Sequence, residues 1–237
     1  MLVKNWMSKD VITVDVNDSM QDAGKLIKKH NIHGLPVMEN GKLAGIVTDR
    51  DLKRASASDA TALEIHELLY LISEIKVKNI MTKNPITIPL DNTIDEAAEI
   101  LMDNKLSGAP VVDKEGQLVG IITQTDIFRV MVSLTGVREK GVQFGFLLED
   151  RPGSIKEAAD IIRKYGCHVV SILSNYDDKS NYRHVFIRAC DGDWALLEQL
   201  KEELKEKTNM LYTVNHVNKK QEVYQDYVRP SGSWVVG

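Results

Sequence analysis

Cysteine is scarce in this chain: only Cys167 and Cys190 occur among 237 residues. No Cys-x-x-Cys or His-Glu-x-x-His spacing exists, so a zinc or dithiol centre has no ligand set and no metal site is expected. A hairpin formed by the strands around them could bring the two close, but a reducing compartment favours packed, reduced thiols over a disulfide. Excess charge of either sign is also missing. Thirty basic residues against 34 acidic ones leave a net charge of −4, which gives no electrostatic footprint for duplex nucleic acid or an anionic membrane. No apolar run approaches the ~18 residues of a membrane-spanning helix. The stretch Met1–Asp10 lacks the apolar centre of a signal peptide. These absences predict a cytoplasmic protein without membrane or nucleic-acid partners. The rest of the composition, 43% hydrophobic and 27% charged, is that of an ordinary globular chain with one or two domains.

What the sequence does contain is a repetition. Gly45-Ile46-Val47-Thr48-Asp49-Arg50-Asp51 returns as Gly120-Ile121-Ile122-Thr123-Gln124-Thr125-Asp126. Each copy reads as the end of a buried strand running into a helix whose first turn holds Thr and, three residues on, Asp. A helix start presents backbone N–H groups to an anion, and the Thr hydroxyl can add a bond to a phosphate or sugar oxygen. An Asp would repel a phosphate and suits the hydroxyls of a ribose instead. The plainer alternative is that Thr-x-x-Asp is only a helix cap.

The copies extend well beyond this motif. Met7-Ser8-Lys9 matches Met81-Thr82-Lys83, Ile12-Thr13-Val14 matches Ile86-Thr87-Ile88, and Gly34-Leu35-Pro36-Val37 matches Gly108-Ala109-Pro110-Val111. The offset is 74 throughout (81 − 7) and becomes 75 after the turn Asp113–Gly116 (120 − 45). A repeat of this length means two copies of one supersecondary unit, neither of which buries its apolar face alone. Within each copy, a short strand (Ile12–Val14 in the first) precedes a helix that Ser19 or Thr93 caps. Met20, Ala23, Leu26 and Ile27 share one face of the first helix, and Ile94, Ala97, Ala98 and Leu101 one face of the second. A hairpin follows, with Asn40-Gly41 as the turn signal in the first copy. Between the copies, Ala55–Asp59 reads as a loop and Leu63–Ile72 as an amphipathic helix with His66 exposed on it.

These residues resemble a tandem pair of CBS domains, the regulatory arrangement called a Bateman module, over about residues 5–54 and 79–130. The resemblance implies adenine nucleotides (AMP, ADP or ATP, with S-adenosylmethionine as a further candidate) bound in clefts between the repeats, and it implies no catalysis. It places three parts at each cleft. The first is the strand start, Val11 and Ile12 or Pro85 and Ile86. The second is His33, Gly34 and Pro36, or Ser107, Gly108 and Pro110. The third is Ile46, Thr48, Arg50 and Asp51, or Ile121, Thr123, Thr125 and Asp126. Related pairs place a phosphate-contacting residue where His33 stands; a strand-end His bonded to a backbone carbonyl is the plainer reading. Arg50 can grip a phosphate with two bonds or pair with a surface carboxylate, whereas Thr125 gives one bond. The two clefts are therefore not expected to bind equally, and the second is a candidate for standing vacant.

After Gly141 the pattern changes. Val142–Leu148 reads as a strand, and Glu149–Ser154 as a turn with Pro152 and Gly153 that opens a helix faced by Ile155, Ala158, Ala159 and Ile162. Two strands, Cys167–Tyr176 and Tyr182–Ala189, follow. Then come a helix striped by Trp194, Leu197, Leu200 and Leu204, and a last strand, Met210–Val217. This strand-helix-strand-strand-helix-strand order is ferredoxin-like. With Asp150-Arg151-Pro152-Gly153-Ser154-Ile155 at the first junction, the segment resembles an ACT domain. That resemblance implies an amino acid held at Asp150 and the backbone of Gly153, or a purely dimerising domain. The expected layout of this mixed α/β (α+β) chain is repeat one over 1–60, a linker helix over 61–78, repeat two over 79–135, the ferredoxin-like segment over 136–217 and a tail over 218–237. The tail carries Lys219, Lys220, Tyr224, Tyr227, Pro230, Gly232 and Trp234 and reads as docked or mobile.

A CBS pair followed by an ACT domain resembles the acetoin-utilisation protein B (AcuB) family of bacteria. The expectation is a non-catalytic ligand sensor that works as a homodimer. An enzyme is disfavoured, because no nucleophile–base pair is visible and the modules leave no stretch for a catalytic domain. An interaction subunit that regulates a separate enzyme or transcription factor, without its own nucleotide, is the alternative.

Overall fold

Ser19 and Thr93 begin the two repeats' helices as the capping rule requires. In the computed structural model, which describes residues 1–58, 74–176 and 180–225, Ser19 is extended and its side chain accepts from the Asp22 amide, opening helix α1, Met20–His30. Met20 and Ala23 are buried, and Leu26 and Ile27 pack at the edge of the same core. Asn31, with φ 51°, ends the helix in the left-handed conformation that Asn tolerates. Strands β2 (Gly34–Glu39) and β3 (Lys42–Thr48) then form a hairpin whose turn residues Asn40 and Gly41 have φ of 49° and 77°. Those positive values are what a two-residue hairpin turn demands. A short β1, Val14–Asp15, lies parallel to β2, two residues later than the expected Ile12–Val14. Helix α2 runs Asp49–Ser58. The loop expected from Ala55 is therefore helical through Ser58, because Ala and Ser weaken a helix too little to stop one. The proposed helix Leu63–Ile72, with His66, lies outside the described residues, as do Asp59 and the tail residues Tyr227, Pro230, Gly232 and Trp234.

The second repeat runs through a short helix α3 (Val77–Ile80), β4 (Thr82–Lys83) and β5 (Ile88–Pro89). Helix α4 (Ile94–Asp103), β6 (Gly108–Val112), β7 (Leu118–Thr123) and α5 (Gln124–Leu134) complete it. Thr93 and Glu96 close a reciprocal capping box at the start of α4. Of the predicted stripe, Ile94, Ala97 and Leu101 are buried and Ala98 is half-buried.

The repeats exchange their lead-in segments. Thr82–Lys83, which begins the second repeat, pairs with Gly45–Ile46 as the fourth strand of the first repeat's sheet. Ser8 makes the matching bridge to Ile121, with amide bonds of 2.9 and 3.0 Å in both directions. The amide of Val3 bonds to the carbonyl of Asn92, and that of Val77 to the carbonyl of Asp18, both at 2.9 Å. Ile94 is bonded by Met1, and Met20 by Ile75. Each partner in these bonds recurs 74 residues on (77 − 3, 92 − 18), so the repeats are related by reciprocal symmetry. Val3 and Val77 are fully buried, and Val77 sits in the core of the first repeat with Leu35, Val37 and Val47. The exchange also explains the glycine that opens the repeated motif. A Cβ on Gly45 would stand 2.7 Å from both the sulfur of Met81 and the carbonyl oxygen of Thr82, and one on Gly120 would overlap the sulfur of Met7. The Met of one repeat lies across the Gly of the other.

Contacts divide the chain into Met1–Phe128 and Arg129–Gly237. In the second unit, β8 (Val142–Glu149), α6 (Ser154–Lys164), β9 (His168–Tyr176), β10 (Tyr182–Cys190), α7 (Leu197–Lys207) and β11 (Met210–Asn215) follow one another in the expected order. The sheet order β11-β8-β10-β9 is antiparallel throughout, which is the ferredoxin-like arrangement. Phe144, Phe146, Ile162, Ile187, Leu200 and Leu204 form its centre. Helix α5 continues to Leu134. The residues after it are held by the buried Arg188, which donates to the carbonyls of Thr135 (2.7 Å) and Lys140 (3.2 Å) and to the side chain of Gln143. Nothing in the local sequence announces that contact.

Of the tail expected to be docked or mobile, the described part is docked. Lys220–Val223 forms a strand, β12, beside β11, while β11 itself stops at Asn215 rather than Val217. The segment is polar, so no alternation of apolar residues marks it; side-chain ties hold it instead. Lys201, almost wholly buried, lies between Glu198 (2.7 Å) and Glu222 (2.8 Å), and the Tyr224 hydroxyl donates to Glu222 at 2.6 Å. Lys201, with Tyr224 and Lys220, holds the Glu222 carboxyl down at about 2, and Lys164, Lys207 and Tyr165 do the same for Glu203. A carboxylate depressed in the folded state stabilises above its ordinary value of 4.5, and that stabilisation is lost as pH falls through about 2. Urea midpoints followed by circular dichroism should therefore fall steeply only below pH 4.5, and the fall should be shallower in Glu203→Gln/Glu222→Gln. An equally steep fall in that double variant would show that these ties carry none of the acid sensitivity. No helix among the described residues is long and apolar enough to cross a membrane.

Candidate functional site

The residues singled out in the sequence gather at one end of each repeat's sheet. In the first repeat, Gly34 stands opposite Thr48 and Pro36 opposite Ile46 across the hairpin. The parallel register of Val14 with Val37 carries the chain of Val11 and Ile12 toward Leu35, at that same end. The carbonyl of His33 accepts from the amide of Asp49 at 3.1 Å, tying the helix start to the strand start. The second repeat repeats this. Gly108 faces Thr123, Pro110 faces Ile121, and Ser107 accepts from the Gln124 amide at 2.9 Å. Ile88 pairs with Val111, which carries Pro85 and Ile86 toward Gly108. The glycines at this end are close-packed: a Cβ on Gly108 would come within 3.0 Å of the Ile122 carbonyl. Pro36 and Pro110 are buried, whereas His33, Arg50, Ser107 and Thr125 are exposed.

At the centre of each site, Thr and Asp are locked together. Asp51 Oδ2 accepts from the Thr48 amide (2.9 Å) and the Thr48 hydroxyl (2.6 Å), and the Asp51 amide donates back to that hydroxyl at 3.3 Å. The same three bonds, at the same lengths, join Thr123 and Asp126. The cap reading is therefore part of the answer, and it changes what the motif offers. The Thr proton is given to Asp, rather than left open for the phosphate or sugar oxygen that the sequence suggested. What remains on offer are acceptors: lone pairs on the Thr oxygen and, at Asp51, an Oδ1 with no protein partner among the described residues. Acceptors suit the hydroxyls of a sugar. The amides of Thr48, Asp49 and Asp51 are likewise spent inside the fold, so fewer N–H groups face an anion at this helix start than the sequence suggested.

The other candidates belong to the second unit. Asp150 is paired with Arg183 at 2.8 Å, a partner that nothing near Asp150 in sequence reveals. Gly153, with φ 92°, is the residue before α6, where a left-handed backbone favours glycine. Cys167 and Cys190 are free thiols. Burial pushes both upward, Cys190 to about 11, so neither is a thiolate nucleophile near neutral pH. No group of three or more His, Cys, Asp or Glu among the described residues is placed to hold a metal ion. Sequence reasoning missed Ser8 and Thr82, which flank Ile121 and Ile46 on the exchanged strands. Their signal was present in the matching Met-Ser and Met-Thr pairs, but it did not say which repeat they would join.

A family model for the CBS domain matches residues 3–58 and again 77–133. A CBS domain-containing protein of Dictyostelium discoideum is 36% identical over 134 residues, 56% of this chain and 92% of that protein. An inosine-5'-monophosphate dehydrogenase of Korarchaeum cryptofilum is 38% identical over 53% of this chain, but the match spans only 23% of the enzyme. Among solved structures, a putative acetoin utilization protein (AcuB) from Vibrio cholerae is 27% identical, with a TM-score of 0.50, over 59% of this chain and 96% of that one. The CBS domain pair of protein MJ0100, in complex with 5'-methylthioadenosine and S-adenosyl-L-methionine, is 36% identical over 55% of this chain and 99% of its own, with a TM-score of 0.47.

Proposed function

Since the chain belongs to the CBS-domain proteins, we propose that it is a non-catalytic regulatory sensor whose CBS pair takes an adenosine ligand at the two repeated motifs. AMP, ADP, ATP and S-adenosylmethionine are the candidate ligands. The observation that carries this reading is the duplicated Thr–Asp lock at equivalent ends of two sheets, whose oxygens are acceptors of the kind that a sugar's hydroxyls need. A pair of bare helix caps has no need of the matching strand starts, glycines and prolines around it. Mass spectrometry of small molecules released from the purified protein should detect an adenosine derivative. No such molecule, together with no heat from any of the four candidates in calorimetry, would overturn the reading.

Within the same proposal, the second unit is read as an ACT domain that senses an amino acid or dimerises, in an arrangement like that of AcuB. Its ferredoxin-like strand order and the left-handed Gly153 before α6 support this. The Asp150–Arg183 pair holds one group for an amine and one for a carboxylate. At millimolar concentration, one of the twenty amino acids should raise the melting temperature, and Asp150→Ala should abolish that rise while leaving the nucleotide response intact. No rise with any of them would leave the domain a structural one. The alternative, an interaction subunit without its own nucleotide, draws on the exposed stripe Phe128, Met131 and Val132 along α5.

A further inference from the structure

A cavity of about 80 Å³ opens in the second unit between α7, β11 and β12, with room for roughly six water-sized groups at about 10–15 Å³ each. It lies beside Val142, where β8 begins, whereas Asp150 follows the end of that strand, so it is distinct from the Asp150–Arg183 pair. Its buried cation is Lys201, 3% exposed. Two of the three ammonium protons go to Glu198 and Glu222, and the third has no acceptor among the described residues. The two acids are not equivalent. Glu222 also accepts from Tyr224 and Lys220 and is fixed in place with β12. Glu198 has Lys201 as its one partner among the described residues, and its side chain is 73% exposed. A tie that only held β12 would need Glu222 and no cavity. Glu198 is the carboxylate that can be replaced, and exchanging it for another leaves the charge around the buried Lys201 unchanged.

The other polar groups around the cavity are mostly donors. The side-chain oxygens of Asn215 and Asn218 are committed to the backbone amides of Val217, Asn218 and Lys220, so their NH2 groups remain to donate. Asn218 and Lys220 line the cavity from its exposed side. One acceptor is left inside. The Tyr224 proton goes to Glu222, so the 3.2 Å contact between Tyr224 and Thr213 uses the Thr213 proton, and the buried Thr213 oxygen keeps its lone pairs. Val142 and Leu197 supply an apolar wall. We propose that this cavity binds a small hydroxycarboxylate of about six non-hydrogen atoms, its carboxylate displacing Glu198 from Lys201 and its hydroxyl donating to Thr213.

Lactate and propionate differ only by the hydroxyl, so they are the probes. In methyl NMR spectra of the full chain, lactate at millimolar concentration should shift Val142 and Leu197 saturably. Propionate should bind about 2–10-fold more weakly, as loss of one hydrogen bond does. Lys201→Met is the obvious variant, but it also unties β12, so the exposed positions Glu198 and Asn218 carry the test. Glu198→Gln removes the competing charge and should tighten lactate severalfold, whereas Asn218→Ala should weaken it; circular dichroism melts confirm that both variants are folded. A Lys201 tie that served only to hold β12 would give no such gain from Glu198→Gln. Absence of a saturable shift with lactate, equal shifts with lactate and sulfate, or lactate affinity unchanged or lowered by Glu198→Gln would each overturn the proposal. None of these outcomes touches the adenosine reading.

Discussion

Gly45→Val and Gly120→Val are each expected to destabilise the first unit by about 1–3 kcal/mol, the usual range for overpacking a filled interior. For a chain of this size that is a fall of roughly 2–12 °C in melting temperature. The cause is not backbone freedom. Both glycines lie in ordinary strand conformation, and what they lack is room, because the exchanged Met81 and Met7 pass directly over them. The methionine sulfur is the flexible end of a long side chain and can yield. The carbonyl oxygen of Thr82, 2.7 Å from a Cβ on Gly45, belongs to β4 and yields only if that strand leaves the sheet. At Gly120 the nearest backbone atom, the oxygen of Ser8, is more distant at 3.0 Å. Gly45→Val should therefore be the more damaging of the two. Thermal melts followed by circular dichroism decide this; a melt of Gly45→Val superimposable on the wild type would show that the close passage is not rigid.

Asp51→Ala and Asp126→Ala are expected to act on binding and stability together. If each Asp accepts ribose hydroxyls, removing it deletes bonds to a charged acceptor worth roughly 1.5–3 kcal/mol. At ~1.4 kcal/mol per tenfold, affinity for an adenosine ligand falls on the order of 10–100-fold. Sequence alone suggested a cost to the fold of only about 0.3–1 kcal/mol, that of an acid in a first helical turn. The reciprocal lock raises this to about 0.5–2 kcal/mol, the range for a lost cap, and Asp126, 4% exposed, stands at the upper end. Asp51→Asn separates the two effects. Its side-chain oxygen can still accept from the Thr48 amide, so most of the cap survives while the charge is gone. Calorimetry should show affinity lost in both variants at the first site, but stability lost chiefly in Asp51→Ala. If Asp51→Ala/Asp126→Ala stays folded and binds every candidate ligand as tightly as the wild type, the motif is only a pair of caps and the proposed function fails.

The features legible in the sequence were the local ones. Ser19, Thr93 and Glu96 cap their helices through bonds that span three residues, and Asn40-Gly41 makes its turn alone. The alternation of apolar residues brought out every long strand of the second unit. Long-range partners were not legible. Which sheet receives Thr82–Lys83 depends on residues nearly forty positions away, and both answers satisfy the same local pattern. Asp150 was named for a ligand, yet its partner Arg183 lies across the sheet. β12 escaped because Glu222 is drawn in by Lys201 rather than by apolar burial. At the candidate site the residue identities could be read in advance, but not their hydrogen-bond directions. Those directions commit the Thr proton to Asp and leave the Thr oxygen as an acceptor.

The exchanged lead-ins bear on how such a chain could have arisen. A single repeat, made as a separate molecule, would carry a segment that fits only another copy and a sheet edge that only another copy fills. Two such molecules would satisfy one another by the reciprocal bonds now seen between Val3 and Asn92 and between Val77 and Asp18. Their union would depend on concentration. Joining them end to end makes the second encounter intramolecular, at an effective concentration that short flexible connections place in the millimolar range. Once joined, the halves no longer need to stay identical to recognise each other. One copy is then free to keep Arg50 while the other becomes Thr125, which a symmetric pair of separate chains could never do.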